Sequence, residues 1–230
     1  MLDTKRGKFI VLEGTDGSGK TEQFNRLVLR LPAECRVQAV DFPRYAEPSS
    51  HFITKYLKGR YGGIEDVGPR AASMFYALDR FDASFKMREW LHEGRIVVGN
   101  RYMGSNLGHQ GAKIADDRER EALFRWLYEL EYEILKIPKP DLNIILYVPA
   151  EIAYELIAKK SAREYLKGAK RDIHEANLEH LKAAARSYAH AAKLFPSDFV
   201  VVECAPNGKL LLIEEVHEKV WAVAQKALEM

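Results

Sequence analysis

KFIVLEGTDGSGKTEQF, residues 8–24, joins two local signals that do not belong to one element. FIVLE (9–13) reads as a short buried strand, and a helix-compatible segment opens at Lys20, with only a glycine-rich turn between them. Gly14, Gly19, Lys20 and Thr21 fit the spacing G-x-x-x-x-G-K-[ST]. Glycines let successive backbone N–H groups curl inward around an anion, and the helix that follows adds its positive N-terminal end. Lys20 supplies a mobile point charge for the β- and γ-phosphates, and the Thr21 hydroxyl is placed to sit on Mg²⁺. The phosphate-holding stretch is therefore Gly14, Thr15, Asp16, Gly17, Ser18, Gly19, Lys20 and Thr21.

Composition sets the outer limits. A chain of 230 residues, 47% hydrophobic and 30% charged, buries a proper core within one domain, expected here over 1–230. Thirty-five basic residues against 33 acidic ones leave a formal net charge of +2, too weak a field to grip nucleic acid broadly. Any anion must be held locally. Cys35 and Cys204 have neither metal-ligand spacing nor a disulfide framework, which points to a reducing compartment. No 18 apolar residues run together, and MLDTKRGK is not followed by a signal-type apolar segment. The expectation is a cytoplasmic protein without a membrane partner.

Strand-like runs at 9–13, 36–42, 95–100, 142–148 and 199–203 alternate with amphipathic stretches at 20–31, 48–58, 69–93, 117–135, 150–160, 172–195 and 208–228. That alternation predicts an α/β chain with a parallel sheet. Joined to the phosphate loop, it predicts a P-loop NTPase fold: three α/β/α layers around five parallel strands.

In such a sheet ligands gather at the carboxyl ends of the strands, so the residues just after each apolar run are the informative ones. After the second run, DFPRYAEP places Phe42, Arg44 and Tyr45 at a proline turn, where a surface arginine is also the ordinary finding. After the third, GNRYMGSNLGHQGA sets Arg101, Tyr102, Ser105, Asn106 and His109 among glycines, as a solvated loop or as small-ligand contacts. On the long helix, Tyr76 and Arg80 lie one turn apart and can face one pocket. Without other evidence the plainer reading is that Phe75, Tyr76, Leu78 and Phe81 are core, with Asp79 and Arg80 at its margin. KKSAREYLKGAKRDIHEAN (159–177) carries six Lys or Arg in thirteen residues, either a solvated face or a short basic lid over a phosphate site.

In order and spacing, FIVLEGTDGSGKT, DFPRY, FYALDR, NRYMGSN, KIPKPDL and REYLKGAKRDIHE resemble the thymidylate kinases almost end to end. The resemblance implies transfer of a phosphoryl group from ATP, with Mg²⁺, to dTMP, giving dTDP and ADP. It implies that Asp16 lies near the acceptor sugar and the metal, that Tyr45 and Arg101 hold the acceptor phosphate, and that Phe42 and Arg44 shape that side. Tyr76 stands where the family stacks an aromatic on thymine, Arg80 where an arginine reaches O4, and Ser105 and Asn106 where the base pocket is lined. His109 falls where an aromatic is usual. Arg163 and Arg171 are the nearest candidates for lid arginines, which makes Lys20, Asp16, Arg101, Arg163 and Arg171 the catalytic set. Asp172, His174 and Glu175 match the family's acidic motif loosely. A homodimer through the helix at 69–93 is also implied, and that helix is apolar over more than one face.

Two positions depart from the family pattern: Asn100 stands where Asp-Arg-Tyr is usual, and Glu22 follows Thr21 where another Thr is common. If Asn100 replaces a carboxylate that orders water on the metal, Asn100→Asp is expected to lower the Mg²⁺ requirement. Alternatives remain a kinase of another nucleoside monophosphate or a deoxynucleoside on the same scaffold, and a P-loop module without transfer. No N-K-x-D motif of a guanine-specific switch is present.

Overall fold

Five strands form one parallel sheet in the computed structural model, which describes residues 6–63, 66–165 and 178–229, with 160–165 described by backbone alone. The strands are β1 (Phe9–Gly14), β2 (Gln38–Asp41), β3 (Val97–Asn100), β4 (Leu142–Tyr147) and β5 (Phe199–Glu203). Their spatial order is β2-β3-β1-β4-β5. The three inner strands are almost wholly buried, as expected of strands covered on both faces, whereas the edge strands β2 and β5 carry exposed residues.

Alternation along β1 supplies both layers. Phe9 and Val11 enter a core with Val97, Tyr102, Met103, Leu107, Phe124 and Tyr188. Ile10 and Leu12 enter a second core with Phe24, Leu27, Val98, Ile144, Val216 and Val220. The first layer comprises α3 (Pro69–His92), α4 (Met103–His109), α5 (Asp117–Tyr128) and α7 (Leu178–Leu194). The second comprises α1 (Lys20–Arg30) and α8 (Ile213–Leu228), which pack on each other. The short α2 (His51–Leu57) leans on α3, and α6 (Ala150–Tyr165) leans on α7. The chain leaves β1 toward β2 and β3 on one side and later toward β4 and β5 on the other. A crevice therefore opens at the carboxyl end of β1.

Several boundaries differ from the sequence expectation. The helix expected over 208–228 begins at Ile213, because Pro206–Gly208 forms a separate tight turn with Asn207 at φ 54°. The helix expected over 117–135 changes to π geometry at Glu129–Ile134. The segment expected as a basic lid, 159–177, starts as a continuation of α6 through Tyr165, and 166–177 lie outside the described residues. Residues 103–109 form α4, where a polar loop was expected. Gly104 and Gly108 lower helix propensity, but close packing requires them. A Cβ on Gly104 would lie 2.8 Å from Glu13 Oε1, and one on Gly108 would lie 2.2 Å from the Tyr188 ring.

Candidate active site

The turn after β1 is shaped by what it must pass. Gly17, at φ 79°, has no room for a side chain, since a Cβ would fall 2.4 Å from the Ala153 carbonyl oxygen on α6. Gly19, at φ 82°, precedes α1, and no side chain caps that helix. Its first N–H groups and dipole are thus left to an anion. Lys20 is buried, with Nζ donating to the Thr15 carbonyl at 2.6 Å and lying 4.0 Å from Asp16 Oδ1.

Asp16 is ion-paired to Arg101. Burial pushes the Asp16 carboxyl up, but the charges of Arg101 and Lys20 outweigh it and hold the group well below the usual carboxylate range. Arg101 follows β3 at φ 63°, a left-handed conformation that strains a side-chain-bearing residue by roughly 1–3 kcal/mol. Glu13, fully buried at the end of β1, supports it. Its Oε1 accepts from the Tyr102 and Ser105 N–H groups at 2.7 and 3.0 Å, and its Oε2 accepts from the Ser105 and Tyr188 hydroxyls at 2.7 and 3.1 Å. Burial raises the Glu13 carboxyl; the bonds from Ser105 and Tyr102 and the charges of Arg101 and Lys20 oppose that rise.

A cavity of about 180 Å³ is lined by Asp16, Phe42, Pro43, Tyr45, Tyr76, Arg80, Arg101, Ser105, Asn106, His109 and Gln110, with Leu57 and Tyr102. The sequence-expected acceptor residues thus share one cavity, apart from Arg44. That guanidinium turns away, donating from Nε to Asp79 Oδ1 at 3.1 Å and from Nη2 to Asp82 Oδ2 at 2.5 Å. It ties the proline turn to α3 from behind, because the carboxylates of α3 outcompete the pocket for it.

Arg80 is not a margin residue. It is 2% exposed and forms a double bond pair with Glu131, Nε to Oε2 at 2.6 Å and Nη2 to Oε1 at 2.5 Å. Asn106 Nδ2 reaches the same Oε1 at 3.3 Å. Nη1 donates weakly to the Tyr102 carbonyl at 3.4 Å, so two of the five guanidinium N–H donors remain for a ligand. His109 stands between Arg101 and α7. Burial pulls its pKa well below the ordinary 6.5, Asp16 opposes that, and Arg101 and His180 add to it. The neutral ring then accepts at Nε2 from Arg101 Nη1 (3.2 Å) and turns its Nδ1–H to His180 Nε2 (3.4 Å).

A second, larger cleft of about 650 Å³ runs along residues 17–23, with Asn25, Leu156, Ile157, Cys204, Leu210, Leu211, Ile213 and Val216 on its walls. Asp16 and Arg101 line both cavities. One space is thus aimed at phosphates by backbone N–H groups and the other is walled by aromatic and hydrogen-bonding side chains. They meet at a single ion pair.

A family model for thymidylate kinase matches residues 12–220. The chain belongs to the thymidylate kinase family. A thymidylate kinase of Mycobacterium tuberculosis is 29% identical over 185 residues, covering 80% of this chain and 85% of that protein. A probable thymidylate kinase of Methanocaldococcus jannaschii is 27% identical over 212 residues, covering 92% of this chain and 93% of the other. The fold matches that of the Candida albicans thymidylate kinase structure with a TM-score of 0.72 at 21% identity, covering 96% of this chain and 92% of that one. As a thymidylate kinase the chain is a nucleoside monophosphate kinase, and its reaction is the phosphorylation of dTMP.

Three residues that sequence reasoning passed over now join the site: Glu13, Asp41 and Glu131. Glu131 left a readable trace, since Leu123, Leu127 and Glu131 recur every fourth residue and the first two are core. A carboxylate on that stripe needs a buried cation. Asn100 is buried at the end of β3, and its Nδ2 donates to Asp41 Oδ1 at 3.0 Å. Its Oδ1 is buried without a partner. Thr21 is exposed at the start of α1. Among the described residues no group of three His, Cys, Asp or Glu is placed to hold a metal. Thr21, Asn100 and Asp41 each offer oxygen, the donor type that suits a hard cation carried mainly by phosphates and water. The Arg163 side chain and Arg171, Asp172, His174 and Glu175 lie outside what is described.

Proposed function

We propose that ATP lies along the larger cleft with its phosphates on residues 14–21, that dTMP fills the smaller cavity, and that transfer occurs across Asp16 and Arg101. The observation that carries this reading is that these two residues line both cavities. A phosphate monoester has a second pKa of about 6, so at neutral pH the acceptor oxygen is already an anionic nucleophile and no general base is required. The task is in-line positioning and positive charge. Lys20 and Arg101 supply that charge from this chain, and Asp16 holds both in place. Thr21 and Asn100 would help hold a Mg²⁺ brought in with the phosphates, and such an ion would neutralise further charge.

Tyr76 stacks on the base, Arg80 and Asn106 offer donors and acceptors to its edge, and Tyr45 and Arg101 hold the acceptor phosphate. Arg163 and Arg171 are assigned to the transferring phosphate. We place the protein in the cytoplasm as a single catalytic domain, on its unpaired thiols Cys35 and Cys204. We also assign it a homodimer through α3, where Met74, Leu78 and Phe85 are 45%, 44% and 56% exposed. Among the described residues no helix is long and apolar enough to cross a membrane.

A coupled assay offering dTMP, dUMP, UMP, CMP and AMP with ATP and Mg²⁺ tests the assignment. Turnover is expected with dTMP above the rest; equal turnover with ribonucleotides would remove the base-pocket roles. Sedimentation at micromolar concentration tests the dimer, and a monomer there would dismiss it.

A further inference from the structure

We infer that Asp41 and Asn100 act as one unit that orders water on the nucleotide-bound metal, with the carboxylate carried by β2 and the amide by β3. The inference rests on the Mg²⁺-nucleotide reading above and adds Asp41, which the family resemblance did not supply, to the Asn100 position that it did.

The register places the pair. Asp41 is the direct partner of Asn100 across β2 and β3, and Leu12 is the direct partner of Asn100 across β1 and β3. Residues in register point to the same face of a parallel sheet. Leu12 belongs to the core under α1, so the Asp41–Asn100 pair points to the layer in which α1 lies. The phosphate loop runs into the N-terminus of that helix, and Thr21 sits in its first turn.

Bond chemistry then fixes the roles. Asn100 Nδ2 donates to Asp41 Oδ1 at 3.0 Å, which settles the amide's orientation, because turning it over would set two oxygens face to face. The amide oxygen that remains is buried and has no partner, although a buried polar atom normally finds one. A metal-bound water is a donor of the right kind. Asp41 is exposed, so its second oxygen is free to accept from another such water; burial raises its carboxyl pKa, and the bond from Asn100 and the charges of Arg101 and Lys20 oppose that rise. One negative charge and two acceptor oxygens are the set a lone carboxylate on β3 would provide, now divided between two strands.

The division makes the residues interdependent. Asn100→Asp on its own would put two carboxylates about 3 Å apart, raising the pKa of one and repelling the other. On this inference Asn100→Asp raises the Mg²⁺ requirement, the opposite of the expectation drawn from the family pattern. The exchange of both, Asp41→Asn with Asn100→Asp, keeps the charge and the inter-strand bond.

The experiment is titration calorimetry of ADP, with and without Mg²⁺, on the native protein, Asp41→Asn, Asn100→Asp and the double exchange, with thermal melting of each. Asp41→Asn is expected to lower the Mg²⁺-dependent gain in ADP affinity about tenfold, the range found when groups behind a metal's direct ligands are removed, while metal-free ADP binding stays within twofold. Asn100→Asp is expected to lose the gain as well, and the double exchange to recover it to within about threefold of native. The inference is overturned if Asp41→Asn keeps the native gain, if it weakens metal-free ADP equally, or if the double exchange binds no better than either single variant. A native protein whose ADP binding ignores Mg²⁺ would instead overturn the metal reading itself, and this inference with it.

Discussion

The two cavities that meet at Asp16 and Arg101 are built by different means. The larger takes one wall from eight consecutive residues, 16–23, and works through backbone: glycines at positive φ, an uncapped helix start and one buried lysine. The smaller draws on the turns after β1, β2 and β3 and on α2, α3 and α4, and its geometry is held by paired side chains far apart in sequence. Arg80 and Glu131 are 51 residues apart and Glu13 and Tyr188 are 175 apart. A backbone site tolerates change in its surroundings and fails when its own residues change. A site of paired side chains fails when either partner is lost, because the survivor is left buried.

The sharpest break of this contrast is Arg80→Ala. It leaves the Glu131 carboxylate buried and unpaired, and removal of one partner of a buried pair costs about 3–5 kcal/mol. Urea denaturation should show that loss, and Arg80→Met with Glu131→Leu should recover most of it while dTMP binding stays impaired and ATP binding does not. A loss under about 1 kcal/mol for the single variant would mean that the pocket is not held by the pair.

Next in size, Lys20→Ala should lower turnover by on the order of 10²-fold or more, as expected for a charge that acts on the transferring group. Melting should move less than in Arg80→Ala, since the ammonium donates to a neutral backbone carbonyl and Asp16 keeps its pairing with Arg101. Near-native turnover would remove Lys20 from the catalytic set. A melting loss as large as that of Arg80→Ala would erase the contrast between the two sites.

Tyr188→Phe tests the support behind Arg101 more gently. It removes one donor to Glu13, worth roughly 1–2 kcal/mol of stability, and should lower kcat more than it raises the KM for ATP, because Arg101 stands at the junction. Unchanged kcat would confine Glu13 to a structural role.

The smallest effect is in pH. The folded-state pKa values of His109 and His180 lie below the ordinary 6.5, so the stability they contribute is present above 6.5 and is lost as pH falls below it. Each accounts for at most about 0.8 kcal/mol between pH 7.5 and pH 6. Glu13 runs the other way: its raised pKa gives stability that is full below 4.5 and declines as pH rises through the folded value. His109→Phe should flatten the fall in melting temperature between pH 7.5 and pH 6. An unaltered slope would place that dependence on other groups.

Residues 8–24 alone determined a strand, a phosphate loop and a helix start, because the apolar run, the three glycines and Lys20 each act through local backbone geometry that needs no distant partner. The strands were legible for a related reason: in a parallel sheet covered on both faces the inner runs are continuously apolar, and β1, β3 and β4 read so. Tyr76, Arg80, Ser105, Asn106 and His109 were legible as candidates through order and spacing, but their company was not. Tertiary structure decided that Arg80 answers Glu131, that Arg44 faces Asp79 and Asp82 instead of the pocket, that Glu13 props Arg101, and that two glycines belong inside α4 because Glu13 and Tyr188 crowd them. A charge in an amphipathic pattern looks alike whether water or a buried partner meets it, and only the register of strands and the packing of helices selects between the two. Asn100 shows this most plainly. Alone in the sequence it reads as a lost carboxylate, and beside Asp41 on the neighbouring strand it is half of a charged pair.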